Sequence, residues 1–376
     1  MKVAFVATTH PVNDDRIFYH QAKTLCKAGF EVQIIALHAI IDEHVNNLSF
    51  KTIESTDIKK KANEVLAYLS GFRPDVIVCS EPTSAYFSWK YRKKCRTKSV
   101  VIYDVTEWYP SKKQHLKGVF PVKVFKSLVY VVINYIGAWV SNAFIFGEYY
   151  KAVPFKVLFP FKKAIELPYY SSWEYFANLP EKDKGTKFTL CYSGKLTQEK
   201  GFVNFLKAVE QYIALNGVNK IRLKIIGWFP SDGDAKVFET FRLKYNELEI
   251  VRFDFLGYYK FIEELADVDL CFDLRIRCIE NNHALPIKLF NYLAAGKPVV
   301  YSDLKAIRQH MPIDGLGYLV DPADHRLIAD IIKQYIEDSF LYKKHSDNAR
   351  NMAKTCYNWD KYSDVFVNFI KEVRKK

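Results

Sequence analysis

Residues 283–301 read HALPIKLFNYLAAGKPVVY, and this stretch decides what kind of fold the chain adopts. Pro286 suits the first turn of a helix, where its missing N–H leaves nothing unsatisfied, and Gly296 suits the position that ends one. Pro298 then leads into the β-branched pair Val299–Val300, which predicts a buried strand. Loop, short helix, tight turn and strand, in that order, make an α/β unit. The free N–H groups of the first turn, near Ile287 and Lys288, form an anion site at the positive end of the helix, and the Lys288 ammonium adds to the same field. Taken alone, the helix is better explained as an ordinary, well-capped α/β unit.

Outward from this stretch, 376 residues exceed one typical core and predict two domains. A hydrophobic content of 49% with 26% charged residues excludes a disordered chain. The formal charge of +13 favours acidic partners such as nucleotides, sugar phosphates or anionic lipid. Basic runs such as Lys59–Lys61 and Arg92–Lys98 read as solvated faces, so nucleic acid is not expected as a partner. Cys26, Cys79, Cys95, Cys191, Cys271, Cys278 and Cys356 contain no CxxC pair, which predicts a reduced, cytoplasmic protein. The first residues run straight into a strand pattern, without the parts of a signal peptide. The longest apolar run, Leu128–Val140, is short of a membrane span and carries Asn134.

The first half alternates strands and helices. Val3–Ala7 is a strand, a helix runs from about Asp14 to Ala28 and stops at Gly29, and Val32–Leu37 is the next strand. This opening predicts a doubly wound parallel sheet whose carboxyl edge takes ligands. His10, Asn13, Asp14 and Arg16 are candidates for that edge, although Asn13 or Asp14 serves equally well as a helix cap. No GxGxxG is present, so the dinucleotide fingerprint is missing. After the strand 99–103, Asp104 and Glu107 stand where α/β enzymes place chemistry. Lys112, Lys113, Lys117, Lys123 and Lys126 precede the apolar run, and no acidic residue occurs from Trp108 to Gly147. Such a helix suits the surface of an anionic membrane.

Periodicity lapses near 169–186, which predicts a linker between a first domain over 1–168 and a second over 187–358. The second repeats the alternation, and the amphipathic segment 359–376 closes the chain, packing back on the first domain.

Several segments resemble glycosyltransferase family 4, a group of bacterial polysaccharide-type enzymes of the GT-B fold. They are Thr9-His-Pro-Val-Asn-Asp-Asp-Arg-Ile-Phe, Asp104-Val-Thr-Glu-Trp-Tyr-Pro, Ser193-Gly-Lys-Leu-Thr-Gln-Glu-Lys-Gly, the stretch from Leu285 to Val300, Gly317-Tyr-Leu-Val-Asp-Pro and the late Trp359. The resemblance implies an α/β protein with two Rossmann-like domains facing a central cleft, the first for the acceptor and the second for a nucleotide-sugar donor. It implies a retaining transfer from a nucleotide-diphosphate sugar to an acceptor hydroxyl, in the assembly of a capsule, O-antigen or exopolysaccharide on a lipid-linked saccharide.

Lys195 and Lys200, framed by Gly194 and Gly201, would neutralise the diphosphate, and the amides around Pro286, Ile287 and Lys288 would add to that field. The family's two glutamates correspond here to His283 and Asn291, so Asn291 would meet the ribose, with Glu280 nearby as a substitute carboxylate. The family's histidine in the first domain is Thr106 here, which leaves Glu107 as the nearest titratable group. No cofactor or metal is expected, because fixed cations do the charge work and the chain is read as lacking an Asp-x-Asp pair. The protein is expected in the cytoplasm, peripheral on the inner membrane face. Two rivals remain on the same fold: a nucleotide-sugar epimerase and a catalytically reduced binding protein.

Overall fold

The computed structural model describes residues 1–38, 41, 43–107, 120–180 and 187–375. The chain forms two compact units, one of Met1–Tyr169 with Trp359–Lys376 and the other of Tyr170–Asn358.

The first unit is built on seven parallel strands in the order β3-β2-β1-β4-β5-β6-β7. They are β1 (Lys2–Pro11), β2 (Glu31–Leu37), β3 (Leu48–Ile53), β4 (Val76–Cys79), β5 (Val100–Val105), β6 (Ala143–Phe146) and β7 (Lys163–Glu166). The central strands β4 and β5, and β1 from Val3 to Thr8, are buried nearly throughout, which is why they appear in the sequence as apolar runs. Val6, Ile35, Ile77 and Val101 pack there against Leu69 of helix Ile58–Phe72 and Ala85 of helix Pro82–Lys94. After β1 the chain enters a π-helical segment, Asp15–Ala22, that continues as α-helix Lys23–Lys27. The terminal helix Asp360–Lys375 completes this unit: the Trp359 indole donates to Thr24 Oγ1 at 3.0 Å, and Lys163 pairs with Glu372.

The second unit has six parallel strands in the order β10-β9-β8-β11-β12-β13. These are β8 (Phe188–Lys195), β9 (Ile221–Trp228), β10 (Ile250–Phe253), β11 (Leu270–Asp273), β12 (Val299–Ser302) and β13 (Gly317–Val320). Its core gathers Tyr192, Phe202, Phe205, Leu223, Phe272 and Ile332 between the sheet and helices Phe202–Asn216 and His325–Glu337. Residues 170–180, read above as linker, carry a 3-10 turn at Trp173–Tyr175, a fully buried Phe176 and a bridge from Ser171 to Asn358. The rest of that stretch, 181–186, lies outside the described residues.

Several elements escape the sequence pattern, among them two strands and two helices. β3 and β7 are edge strands with mixed burial, so neither shows a continuous apolar run. Helix Tyr149–Leu158 contains Pro154, which reads as a breaker, and helix Ser339–Thr355 buries only His345, Ala349 and Ala353. Another element differs in length. The apolar run counted above as Leu128–Val140 belongs to a helix that starts at Phe120 and has 21 residues. That is long and apolar enough to cross a membrane, and only 6% of its most apolar window is buried. The lysines at 112, 113 and 117 lie outside the described residues; Lys123 and Lys126 are on this helix.

Candidate functional site

Each sheet changes its direction of winding at one place, between β1 and β4 in the first unit and between β8 and β11 in the second. Loops leaving the carboxyl ends of two such strands part to opposite sides, and open α/β sheets take ligands in the crevice that results. Both places collect polar side chains.

In the second unit, β8 ends in Ser193-Gly194-Lys195. Gly194 has φ 102°, and a Cβ on Gly227, its partner in β9, would lie 1.8 Å from the Gly194 carbonyl oxygen. Glycine alone lets the two strand ends approach so closely. The turn after β8 ends at Gly201, φ 91°, where a Cβ would lie 2.1 Å from the Leu274 carbonyl oxygen. The turn bearing Lys195 and Lys200 is thereby pressed against the exit of β11.

That exit carries Asp273 and Arg275. Asp273 is fully buried; Arg275 Nε and Nη2 donate to its two oxygens at 2.8 and 2.7 Å, Lys288 Nζ lies at 3.0 Å, and the Tyr301 hydroxyl donates at 3.3 Å. Burial alone would raise the Asp273 pKa; Arg275 and Lys288 overcome it and bring the carboxyl down to about 2. Lys288 also donates to the Ser193 carbonyl at 2.7 Å and sits 4.9 Å from the Tyr192 ring centre. Burial is the largest influence on its ammonium and lowers its pKa; Asp273 opposes this, and the charges of Arg275 and Lys200 lower it further. Lys200 is close enough for its charge to act on Lys288. Its own ammonium donates to Asn281 Oδ1 at 3.1 Å and pairs with Glu199 at 3.3 Å.

Helix Ile287–Ala294 starts one residue later than the sequence suggests. Pro286 is its cap, with ψ 134°, and its carbonyl accepts from Leu289 N–H at 3.2 Å. The helix ends in a Schellman motif, Gly296 N–H to Leu293 O and Lys297 N–H to Tyr292 O, both 2.9 Å, with Gly296 at φ 69°. The N–H groups of Ile287 and Lys288 precede any intrahelical acceptor. Around the end of β8, four cations (Lys195, Lys200, Arg275, Lys288) face two carboxylates (Glu199, Asp273). The surplus of two positive charges beside a helix start is a field for a polyanion.

The remaining candidates of this unit stand further in or out. Asn291 is 2% exposed, and its amide oxygen accepts from the Ser171 hydroxyl. His283 follows the short helix Ile279–Asn282, on which Glu280 lies, and its Nδ1 is 2.9 Å from the Ile279 carbonyl oxygen.

In the first unit the crevice between β1 and β4 is held by Glu81, which accepts from the Thr8 and Thr9 amides at 3.0 Å each and from the Thr9 hydroxyl at 2.6 Å. His10 stands over it, Nδ1 3.1 Å from Asp14 and Nε2 3.9 Å from Glu81. Burial, the largest influence, opposes its charge, yet Asp14, Glu81 and Glu107 together raise its pKa to about 9. Asp14 caps the π-helical segment through the Arg16 and Ile17 amides, so it serves as cap and as partner of His10 together. Asn13 is half-buried just ahead of that cap.

Arg16 and Asp104 are bound to each other, Nε–Oδ2 2.8 Å and Nη2–Oδ1 3.0 Å; Asp104 also accepts from Gln21, and the Arg16 guanidinium lies 4.5 Å from the Tyr169 ring centre. That pair fixes the helical segment after β1 to the end of β5, and both members are buried. Thr106 donates to the Ser80 carbonyl at 3.1 Å and its own carbonyl accepts from Lys151. Glu107 is exposed. Sequence reading missed Asp273, Arg275, Glu81 and Lys151; the first three sit at or just past a central strand's end and were open to the same edge rule that singled out Asp104.

The chain does contain two Asp-x-Asp pairs, contrary to the reading above. Asp232 and Asp234 lie in the first turn of helix Asp232–Lys244. Asp267 and Asp269 precede β11, at the opposite end of the sheet from the cations, where Asp267 pairs with Lys224 and Arg222. Among the described residues no group of three or more His, Cys, Asp or Glu is placed to hold a metal ion.

A family model described as Glycosyl transferases group 1 matches residues 174–352, nearly the whole of the second unit. A search of curated proteins gives no match. Among solved structures, sucrose-phosphate synthase from Thermosynechococcus elongatus is similar over 99% of this chain and 98% of its own, with TM-score 0.76 and 13% identity. WaaG, a glycosyltransferase involved in lipopolysaccharide biosynthesis, is similar over 97% and 99%, with TM-score 0.69 and 14% identity. HepE from Anabaena, in complex with UDP and glucose, is similar over 99% of both chains, with TM-score 0.66 and 13% identity. These neighbours show that the fold is GT-B, and the family match supports a glycosyltransferase.

Proposed function

We propose that this chain is a retaining glycosyltransferase that takes a sugar from a nucleotide-diphosphate donor and passes it to the hydroxyl of a lipid-linked saccharide, in the assembly of a surface polysaccharide. The observation that carries the reading is the surplus of positive charge at the end of β8, where Lys200 and Lys288 stand beside the first turn of helix Ile287–Ala294. As the donor's bond to its sugar breaks, negative charge builds on the leaving diphosphate. Cations already in place stabilise that charge without reorganising at the moment of reaction. Asp273 acts through Lys288, holding its ammonium beside Gly194, while Arg275 fixes the carboxylate that does so. UDP bound to HepE is consistent with a donor of this class.

The edge of the first unit is assigned to the acceptor, with Glu107 as the titratable group nearest the reacting hydroxyl and the charged His10 as an anchor for polar groups. Fixed cations take the place of a metal, so transfer proceeds at the same rate in EDTA. The protein works in the cytoplasm against the inner membrane face, which it meets through helix Phe120–Val140; Lys123 and Lys126 are there, and acidic side chains are not.

The decisive experiment is calorimetric titration with UDP and UDP-sugars, followed by mass spectrometry of products on glycolipid acceptors. Binding in the micromolar range that weakens about ten- to a hundredfold in Lys200→Ala supports the reading. Wild-type protein that binds no nucleoside diphosphate refutes it.

A further inference from the structure

We propose that the slot between helices Phe120–Val140 and Tyr149–Leu158 takes one hydrocarbon chain of the acceptor's lipid anchor. The inference rests on the transferase reading above and names where the acceptor's apolar part is held. The slot is a pocket of about 200 Å³. One helix supplies Val131 and Tyr135 to its wall, the other Phe155 and Leu158. Val131, Tyr135 and Leu158 are also partly exposed, so the slot opens to the outside along the two helices.

Its other end is polar. Glu107 and Lys151 line it there, and Glu107 lies two residues past the end of β5. Lys151 donates to the Thr106 carbonyl at 2.5 Å, and the Glu107 charge acts on both Lys151 and His10. The slot therefore runs from an apolar mouth to the edge assigned to the acceptor. An apolar trough with one charged end matches an amphiphile: a chain along the walls and a hydroxylated head at Glu107.

What surrounds the mouth has the same chemistry. Phe125 and Leu128 on one helix, Val157 near the end of the other and Phe161 just beyond it are all more than half exposed. Apolar surface of this extent marks an interaction site. With Lys123 and Lys126 and no acidic residue in Phe120–Val140, its charge is complementary to an anionic bilayer. A lipid lying in that bilayer reaches the slot without crossing water.

The test uses the full chain and a dodecanol carrying a diazirine as probe. After illumination, mass spectrometry is expected to find the label near Tyr135 and Phe155, displaced by excess dodecanol. Val131→Trp with Leu158→Trp, which fills the slot from its exposed side, is expected to lower that labelling about tenfold. The same variant is expected to raise KM about tenfold for a dodecyl glycoside acceptor, leaving KM for a methyl glycoside and for the donor unchanged. Label spread evenly over Phe125, Leu128 and Trp139, or labelling and KM indifferent to the two tryptophans, overturns the slot. Labelling that responds to the tryptophans while KM does not identifies a bilayer lipid as occupant and overturns the acceptor assignment. Loss of UDP binding in the wild type strikes the transferase reading itself and is read separately from the labelling.

Discussion

Lys200 is the side chain whose removal tests the donor site most directly. It is partly exposed and shares its ammonium between Glu199 and the buried Asn281, so Lys200→Ala leaves the Asn281 amide oxygen without this donor. We expect it to weaken UDP binding by roughly 1.5–3 kcal/mol, the scale of a charge-assisted contact, and to cost about 1–3 kcal/mol of stability through the stranded amide; equal affinity by calorimetry removes Lys200 from the site. Asp273 bears chiefly on stability. Asp273→Asn leaves Arg275 and Lys288 buried without their counter-charge and should destabilise the second unit by about 3–5 kcal/mol in urea unfolding. The Asp273 pKa is lowered on folding to about 2, so its contribution is complete above the ordinary carboxyl range near 4 and is lost as pH falls through 2. His10 has the other sign. Its folded pKa is raised to about 9, so the stability it lends is complete below its ordinary value of 6.5 and fades as pH rises through 9. In His10→Gln the first unit's stability should no longer fall between pH 6.5 and 9; a slope equal to wild type would show that His10 titrates unperturbed.

At the scale of an element, helix Phe120–Val140 is secured at one end. A Cβ on Gly137 would lie 2.6 Å from the Pro82 backbone, Asn134 accepts from the Tyr103 hydroxyl at 3.0 Å, and Lys162 donates to the carbonyls of Ala138, Trp139 and Ser141. Toward Phe120 the helix shows apolar side chains on nearly every face, a pattern that in water calls for a covering. Lys123→Glu with Lys126→Glu should reduce sedimentation with anionic vesicles severalfold while leaving UDP affinity intact; equal sedimentation would end the membrane reading. Gly137→Ala should destabilise the first unit by roughly 1–3 kcal/mol, because the added methyl meets backbone that has nowhere to move. The sequence of its first turns explains why the helix reads short. Phe120, Val122 and Val124 alternate with Pro121 and Lys123, and the apolar run reads as starting at Leu128, whereas the backbone is helical from Phe120 onward.

Across the whole molecule, the same winding is used twice, and each unit carries its polar groups where its strand order reverses. The chain leaves the first unit at Tyr169 and returns to it at Trp359, so the last helix belongs to a sheet whose final strand closed almost two hundred residues earlier. Removing residues 360–376 should lower the unfolding midpoint of the first unit and leave that of the second unchanged, read by hydrogen exchange. UDP at about 100 times its Kd should stabilise the second unit by about 2.7 kcal/mol and leave the first where it was. Protection spread evenly over both units would contradict a donor site built from β8, β11 and helix Ile287–Ala294 alone.

Two doubly wound sheets, the helix start at Pro286 and the basic turn from Lys195 to Lys200 were all determined by local sequence. Buried parallel strands show as continuous apolar runs, and glycine and proline mark the turns whatever the rest of the chain does. The partners of those groups were decided only in three dimensions. Nothing near Lys288 in the sequence announces that it ends at Ser193 and Asp273, that Asp104 is taken by Arg16 and Gln21, or that Asn291 turns inward to Ser171. Each pairing joins residues far apart along the chain through strand order, and strand order is a property of the folded sheet that no window of sequence contains.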